Sequence, residues 1–344
     1  MKTILITGGC GFIGHHVIEH FLKYTNWNIV IFDKLTYASS GYDRVRDIKA
    51  FDDKRVSFFT TELTLPISDG IIQETAKNVD YILHMGAETH VDNSIDNPGL
   101  FVKSNVLGTL NILNYAREVK NLKAFVYFST DEVFGPAPEG VKYKEWDRYN
   151  STNPYSATKA GGEELTLAFM NTYGLPGFIT HTMNVFGERQ HPEKFIPMTV
   201  KNILEGNNVI IHSDESRTKS GTRFYIHARN VSTAVHFLLS RFQQRDKYNI
   251  VGSKEVSNYE LAKMIADILG KELKFSFVDF HSSRPGHDLR YALDGTKMKN
   301  LGWLPGIDFY QSLERTVKWI VTRDFWNNLG DVSISSSGGK YASS

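Results

Sequence analysis

The sequence predicts an α/β protein, a doubly wound and mostly parallel sheet with helices on both faces, followed by a smaller C-terminal α/β lobe. Three observations predict it. Short apolar runs alternate with segments of helical period through the first half of the chain. The first run ends in glycines spaced Gly8, Gly11, Gly14, and a helical pattern follows directly. After about residue 183 the alternation loosens into shorter segments separated by polar loops.

The elements justify this in order. Residues 4–7 read as a buried strand, and after the glycine turn Val17, Ile18, Phe21 and Leu22 recur at helical spacing. Residues 28–32 form a second run that ends at Asp33; 55–59, 81–84, 125–129 and 178–182 are the third to sixth. Runs this continuously apolar suit strands covered on both faces. Residues 105–118 and 155–173 read as helices in the first half, and 195–204 and 259–269 as helices in the second. The expected division is 1–183 as a Rossmann-type dinucleotide-binding domain, to which about 224–255 return, and 184–330 as a substrate lobe. Residues 331–344 are Ser/Gly-rich without period and read as a disordered tail.

Composition narrows the function classes. A formal charge of +1 gives no global field to recruit nucleic acid or a membrane surface, so any anion site is local. No apolar stretch approaches the roughly 20 residues that span a bilayer, and the N-terminal run is too short for a signal peptide. Cys10 is the single cysteine, which precludes an intramolecular disulfide and fits a reducing, cytoplasmic setting. It reads as a small packed residue of the glycine turn rather than a nucleophile. The twelve histidines are scattered, so no metal site is expected. His15 and His16 read as surface or packing residues, and Phe21, Phe101, Phe169 and Phe237 as core.

The glycine turn carries the first chemistry. Glycine permits the positive φ of a tight turn and lets backbone approach a pyrophosphate. The helix start beyond it offers free N–H groups. Asp33 stands about 20 residues on, at the end of the second strand, where an acid accepts hydrogen bonds from an adenosine ribose and repels a 2′-phosphate. NAD is therefore expected rather than NADP.

Tyr155 and Lys159 stand four apart, on one face of a helix opened by Asn153 and Pro154. A nearby ammonium and a nicotinamide cation would both favour phenolate, so Tyr155 is expected to have a lowered pKa and to act as base at a sugar hydroxyl. Lys159 is expected to bond the nicotinamide ribose. The fifth strand ends in Thr130, Asp131 and Glu132, at the carboxyl end where open α/β sheets bind ligands. Neighbours on a straight strand face opposite ways, so for both acids to reach one substrate the chain must already turn, as Gly135-Pro136 suggests. Two close carboxylates do not both ionise easily, which leaves one as acid and one as base, the pairing that eliminating water requires.

With these motifs the chain resembles the extended short-chain dehydrogenase/reductase family over about residues 2–326, and within it the nucleoside-diphosphate-glucose 4,6-dehydratases, through Thr130-Asp131-Glu132. Residues 284–288, Arg-Pro-Gly-His-Asp, are most like the dTDP-glucose members. The resemblance implies oxidation at C4, elimination across C5–C6 and reduction at C6. Catalysis would rest on Thr130, Asp131, Glu132, Tyr155 and Lys159. Cofactor contacts are implied for Gly8, Gly11, Phe12, Ile13 and Gly14, and for Asp33, Lys34, Leu35 and Thr36 in the adenosine segment. They are also implied for Glu62, Leu63, Met85, Gly86, Ala87, Ser104, Tyr155, Lys159 and Val185. Substrate contacts are implied for Thr89, Thr130, Asn184, Lys194, Phe195, Arg223, Arg284 and His287, with the two arginines on the diphosphate. A homodimer through the helices at 105–118 and 155–173 is likewise implied.

The chain departs from that pattern at Glu62-Leu63, at Met85-Gly86, at residues 183–187 and in a longer 213–223 stretch. The last leaves the nucleotide open between dTDP and UDP. The rival readings are a nucleotide-sugar 4-epimerase or decarboxylase, against which the two acids argue, and a non-catalytic NAD sensor, against which Tyr155 and Lys159 argue.

Overall fold

The structure is a computed structural model that describes residues 1–241, 245–279 and 289–323. Its centre is a seven-stranded sheet in the order β11-β6-β5-β4-β1-β2-β3, with every neighbouring pair parallel. These strands are β1 Thr3–Thr7, β2 Asn28–Asp33, β3 Val56–Thr60, β4 Tyr81–His84, β5 Ala124–Thr130, β6 Gly177–Thr182 and β11 Asp246–Ile250. Ile4, Leu5 and Ile6 are fully buried, which at about 1.5–3 kcal/mol per side chain anchors β1 at the middle of the sheet. The strand order reverses between β1 and β4, so a crevice opens there at the carboxyl ends.

Helices α1 Phe12–Tyr24, α2 Asp43–Asp47, α3 Asp69–Thr75, α4 Val91–Asp96, α5 Pro98–Phe101, α6 Gly108–Glu118, α7 Pro154–Thr172 and α9 Ala228–Arg241 flank this sheet. One apolar layer joins α1 and α9 to Ile4, Ile6, Ile29 and Ile31. The other joins α6 and α7 to Leu5, Ile82, Phe125 and Ile179. A separate core unites α8 Phe195–Glu205, α10 Asn258–Leu269 and the last described helix, Phe309–Val321. Three two-stranded sheets complete the lobe: β7 Val185–Phe186 with β10 Ile226–His227, β9 Thr222–Phe224 with β12 Glu255–Ser257, and β8 Val209–Ser213 with β13 Phe275–Asp279.

One element departs from expectation. The helix expected from residue 105 is a π turn over Val102–Leu107 before α6 begins. It meets α7 where Gly162 lies so close that a Cβ would stand 2.8 Å from the Asn105 carbonyl oxygen and 2.3 Å from the Tyr127 hydroxyl. Of the two readings of His15 and His16, surface or packing, the structure shows the second: both are fully buried, with rings 4.1 Å apart. Their faces supply the packing, which sequence polarity hides. Phe21, Phe101 and Phe169 are core, and Phe237 packs against it. The 331–344 stretch lies outside the described residues.

Candidate active site

The glycine turn is built by close backbone contact. Gly8 has φ +69°, and a Cβ there would stand 2.9 Å from Gly86 Cα; one on Gly14 would stand 2.3 Å from the Gly8 carbonyl oxygen. Helix α1 begins beyond it with Gly11 at the cap, no capping side chain and no acid in the first turn. Its first N–H groups, over Phe12, Ile13 and Gly14, can therefore turn to an anion. Thr7 Oγ1 accepts the Met85 and Gly86 N–H groups at 3.1 and 2.9 Å, which ties the ends of β1 and β4 together across the crevice.

Asp33 braces the same place. Its two oxygens accept the Cys10 N–H at 2.9 Å and the Leu35 N–H at 2.8 Å. Burial lifts its carboxyl above the ordinary range, against those N–H groups, Arg44 and Lys34. Lys34 reaches Glu62 at 3.6 Å and Glu88 at 3.7 Å. Thr36 caps a short turn over Tyr37–Ser39. Leu63 packs against Gly86 and Gly108, Ala87 precedes Glu88, and Asn105 holds the Glu88 backbone at both its N–H and its carbonyl. Ser104 is buried in the π turn beside it. Cys10 is buried, and burial and Asp33 push its thiol up.

At the carboxyl end of β5 the chain does turn. Asp131–Phe134 is a 3₁₀ turn capped by Thr130, and Gly135 follows with φ +74°. Thr130 Oγ1 donates to Asp131 Oδ1 at 3.0 Å. Asp131 is buried, and its Oδ2 has no hydrogen-bond partner among the described residues. Its carboxyl is pushed up to about 6, by burial first, with Arg223, Thr130 and His181 pulling the other way. The raised proton affinity was expected, but its cause is burial rather than the Glu132 charge. Glu132 Oε2 accepts the Asn153 side-chain N–H at 3.2 Å.

Helix α7 opens on a capping box of Asn153 and Ser156 with Pro154 in its first turn, and so presents Tyr155 and Lys159 to this end of β5. The structure corrects one expectation here. The Tyr155 hydroxyl is held well above its ordinary pKa, by burial first and then by the Glu132 and Asp131 charges, with Thr130 opposing. The Lys159 ammonium donates to the Phe128 carbonyl at 2.6 Å and lies 4.4 Å over the Tyr127 ring. Burial lowers its pKa to about 7.

Of the expected substrate residues, Arg223 acts on the Asp131 carboxyl at this end. Asn184 follows β6 with its Oδ1 buried and without a hydrogen-bond partner, and Val185 begins β7. Thr89 is exposed. Lys194 caps α8 just before Phe195 and lies 3.4 Å from Glu193. Arg223 donates to the Leu289 and Thr222 carbonyls at 2.6 and 2.8 Å and lies 4.7 Å over Tyr291. Arg284 and His287 lie outside the described residues. The long 213–223 stretch is a closed exposed turn: Ser213 bridges Ser220, and the Asp214 carboxylate accepts the Thr218 and Lys219 N–H groups. Those bonds, with Ser216, pull the Asp214 carboxyl down to about 2.

Sequence reasoning missed two features and half of a third. Arg44 is fully buried and binds the Ala38 and Arg189 carbonyls. Asn153 serves as both helix cap and Glu132 partner. His181, Glu163 and Lys247 form a buried charged group. Only Asn153 left a readable signal, the cap before proline.

A parallel sheet whose switch point carries this glycine turn, with Tyr155 and Lys159 one helical turn apart, defines an extended short-chain dehydrogenase/reductase. A family model described as GDP-mannose 4,6 dehydratase matches residues 5–316, and the chain belongs to that family. The dTDP-glucose 4,6-dehydratase of Salmonella typhimurium is 34% identical, with 94% of each chain covered. RHM2 of Arabidopsis thaliana, a trifunctional UDP-glucose 4,6-dehydratase/UDP-4-keto-6-deoxy-D-glucose 3,5-epimerase/UDP-4-keto-L-rhamnose-reductase, is 35% identical over 96% of this chain. The chain spans about half of that relative's length, 49%. Among solved structures, DesIV, a dTDP-glucose 4,6-dehydratase from Streptomyces venezuelae with NAD and TYD bound, superposes with a TM-score of 0.83 at 32% identity, covering 95% of this chain and 100% of that one.

Proposed function

We propose that the chain is an NAD-dependent nucleoside-diphosphate-glucose 4,6-dehydratase acting on dTDP-glucose. The observation that supports the reaction is the Asp131–Phe134 turn, which takes the chain off the straight strand beside Tyr155, whose hydroxyl feels the charges of both Glu132 and Asp131. The relatives carry the nucleotide, with UDP-glucose as the second reading because one relative of comparable identity is named for it.

The cradle of Gly8, Gly11, Gly14 and Gly86, with no room for a Cβ at Gly8 or Gly14 and little at the other two, fits the NAD pyrophosphate, and Asp33, Glu62 and Leu63 fit its adenosine. When bound, NAD supplies the hydride acceptor for C4 and the donor for C6. Tyr155 takes the proton of the 4-hydroxyl as a phenolate, for which a nicotinamide cation bound beside it would have to offset burial and the two acid charges, and Thr130 holds the 4-oxygen. Lys159 bonds the nicotinamide ribose. The 4-keto group acidifies C5–H, and Glu132 removes that proton. Asp131, whose carboxyl burial pushes up to about 6, delivers its proton to the departing 6-hydroxyl, so water leaves and Asp131 becomes a carboxylate. Glu132 returns its proton to C5 as C6 is reduced. Arg223, Arg284 and Asn184 bind the diphosphate, Lys194, Phe195 and Thr89 complete the sugar and nucleotide pocket, and His287 meets the base.

A homodimer through the faces of α6 and α7 is supported by exposed Val102, Leu107 and Tyr173 on and beside them. A cytoplasmic location fits a chain whose one cysteine is buried and unpaired; among the described residues no helix is long and apolar enough to cross a membrane. The test is parallel incubation of the holoenzyme with dTDP-glucose and UDP-glucose. The 4-keto chromophore in alkali is expected with dTDP-glucose at the higher kcat/KM. No 4-keto-6-deoxy product from either sugar sinks the dehydratase reading.

A further inference from the structure

Behind the turn that carries the two acids lies a buried group of ionisable side chains that the reaction does not use directly. His181 on β6 is the register partner of Ser129, two residues before Asp131. Its ring packs edge-on against Phe134, the last residue of the acid turn, at 4.8 Å and 69°. Neither His181 nor Glu163, its partner from α7, has solvent exposure.

The hydrogen bonds define the ring's protonation. His181 Nε2 faces both Glu163 oxygens at 3.1 and 3.2 Å. Its Nδ1 faces Asn249 Oδ1 at 3.0 Å. The Asn249 amide cannot be turned around, because its Nδ2 donates to the Tyr143 and Asp294 carbonyls at 3.0 and 3.1 Å. Both ring nitrogens therefore meet acceptors, and a neutral imidazole has only one N–H to give. Glu163 is an acceptor because it stays ionised: burial would raise its carboxyl, but His181 and Lys247 against it hold it below the ordinary range.

We propose that His181 is a buried imidazolium, clamped between Glu163 and Asn249, and that its charge makes it a positioning residue for proton delivery from the acid at Asp131. The proposal rests on the reading of Asp131 as the acid. The ring braces the acid turn through Phe134 and adds positive potential behind the Asp131 carboxyl, where Oδ2 is buried without a hydrogen-bond partner. Too high a proton affinity would leave Asp131 unable to release its proton to the leaving group, and too low a one would leave it ionised.

The groups that act here come from every neighbouring element. From α7 comes Glu163, and from β11 come Asn249 and Lys247, whose ammonium is 2.9 Å from Glu163 Oε1. The 135–153 segment brings Tyr149, which bonds both Glu163 and Lys247, and Glu145, which accepts the Asn249 N–H at 3.2 Å. Arg223 from β9 is the other cation acting on Asp131. Glu163 thus balances two cations, and that makes the sign of each substitution predictable.

The test is kcat against pH for the holoenzyme with dTDP-glucose. Asp131 works protonated, so its titration sets the alkaline limb. His181→Asn removes a positive charge, raises the Asp131 proton affinity and is expected to move that limb up by roughly 0.5–1 pH unit. Lys247→Met moves it the same way and serves if the first variant folds poorly. Glu163→Gln unmasks the two cations and moves the limb down. A merely structural role gives no such opposite signs. If all three variants melt as folded proteins and the limb stays in place, or shifts alike in His181→Asn and Glu163→Gln, the assignment is overturned. Asp131→Asn separates the layers: its residual turnover is expected to lack the limb. If the limb persists there, both the acid reading and the proposal fall.

Discussion

At the glycine turn a Cβ on Gly14 would stand 2.3 Å from a backbone oxygen, whereas at the acid turn Asp131 has a buried oxygen with no hydrogen-bond partner. The first region is made of backbone packed until no side chain fits. The second is made of ionisable side chains brought out of water by segments far apart in sequence: β5, β6, α7, β9 and β11. The two regions should therefore fail differently. Damage at the turn removes the cofactor, and damage at the acids removes chemistry while the protein stays folded.

The largest expected effect is at Gly14. In an open helix, glycine to alanine stabilises by about 0.5–1 kcal/mol. Gly70 in α3, with nothing within 4 Å of a Cβ, is such a site. Gly14→Ala instead forces backbone to move on both sides of the turn. It is expected to purify without NAD and to regain none in titration, while Gly70→Ala keeps its cofactor and melts slightly higher. Retained NAD in Gly14→Ala would show that the turn is softer than its contacts indicate.

Glu132→Gln comes next, with kcat expected to fall by about 10³ on the scale of lost general-base catalysis. Oxidation at C4 should survive, so reduced nicotinamide accumulates on adding substrate. Deuterium from solvent no longer enters C5. Unchanged exchange removes Glu132 from the role of base.

How much of this the sequence carried follows the same divide. The glycine spacing and Asp33 were readable because a pyrophosphate turn is local, lying within one strand–turn–helix unit. The turning of Thr130-Asp131-Glu132 was readable from Gly135-Pro136, again local. The raised proton affinity of Asp131 was anticipated for the wrong reason, and that of Tyr155 in the wrong direction. Both depend on burial, which is set by β6, β9 and β11 and not by neighbours in sequence. His15 and His16 were left between surface and packing for the same reason, because local polarity does not say what covers the start of α1.

Burial also makes the acid end costly to the fold, and Asp131→Asn measures how much. The Asp131 proton affinity is raised in the folded state, so its stabilising contribution is complete below the ordinary carboxylate range. It is lost as pH rises through about 6, and at pH 8 the ionised group costs about 3 kcal/mol. Asp131→Asn should therefore melt several degrees higher than the native protein at pH 8, with little difference at pH 4 and with only residual turnover. Equal melting at both pH values would mean that water reaches Asp131.

Asn153 joins the two regions and gives the smallest effect. Its Oδ1 accepts the Ser156 N–H at 2.8 Å and so caps the helix that presents Tyr155 and Lys159. Its Nδ2 donates to Glu132 at 3.2 Å. Serine keeps the cap, at a cost of a few tenths of a kcal/mol, but offers no amide donor that reaches Glu132. Asn153→Ser is thus expected to leave melting and NAD retention unchanged and to lower kcat about tenfold, the scale of one hydrogen bond to a charged group. KM should stay put, because the lost contact orients the base and touches no substrate. A fall in NAD retention equal to the fall in kcat would instead place the whole role of Asn153 in the cap.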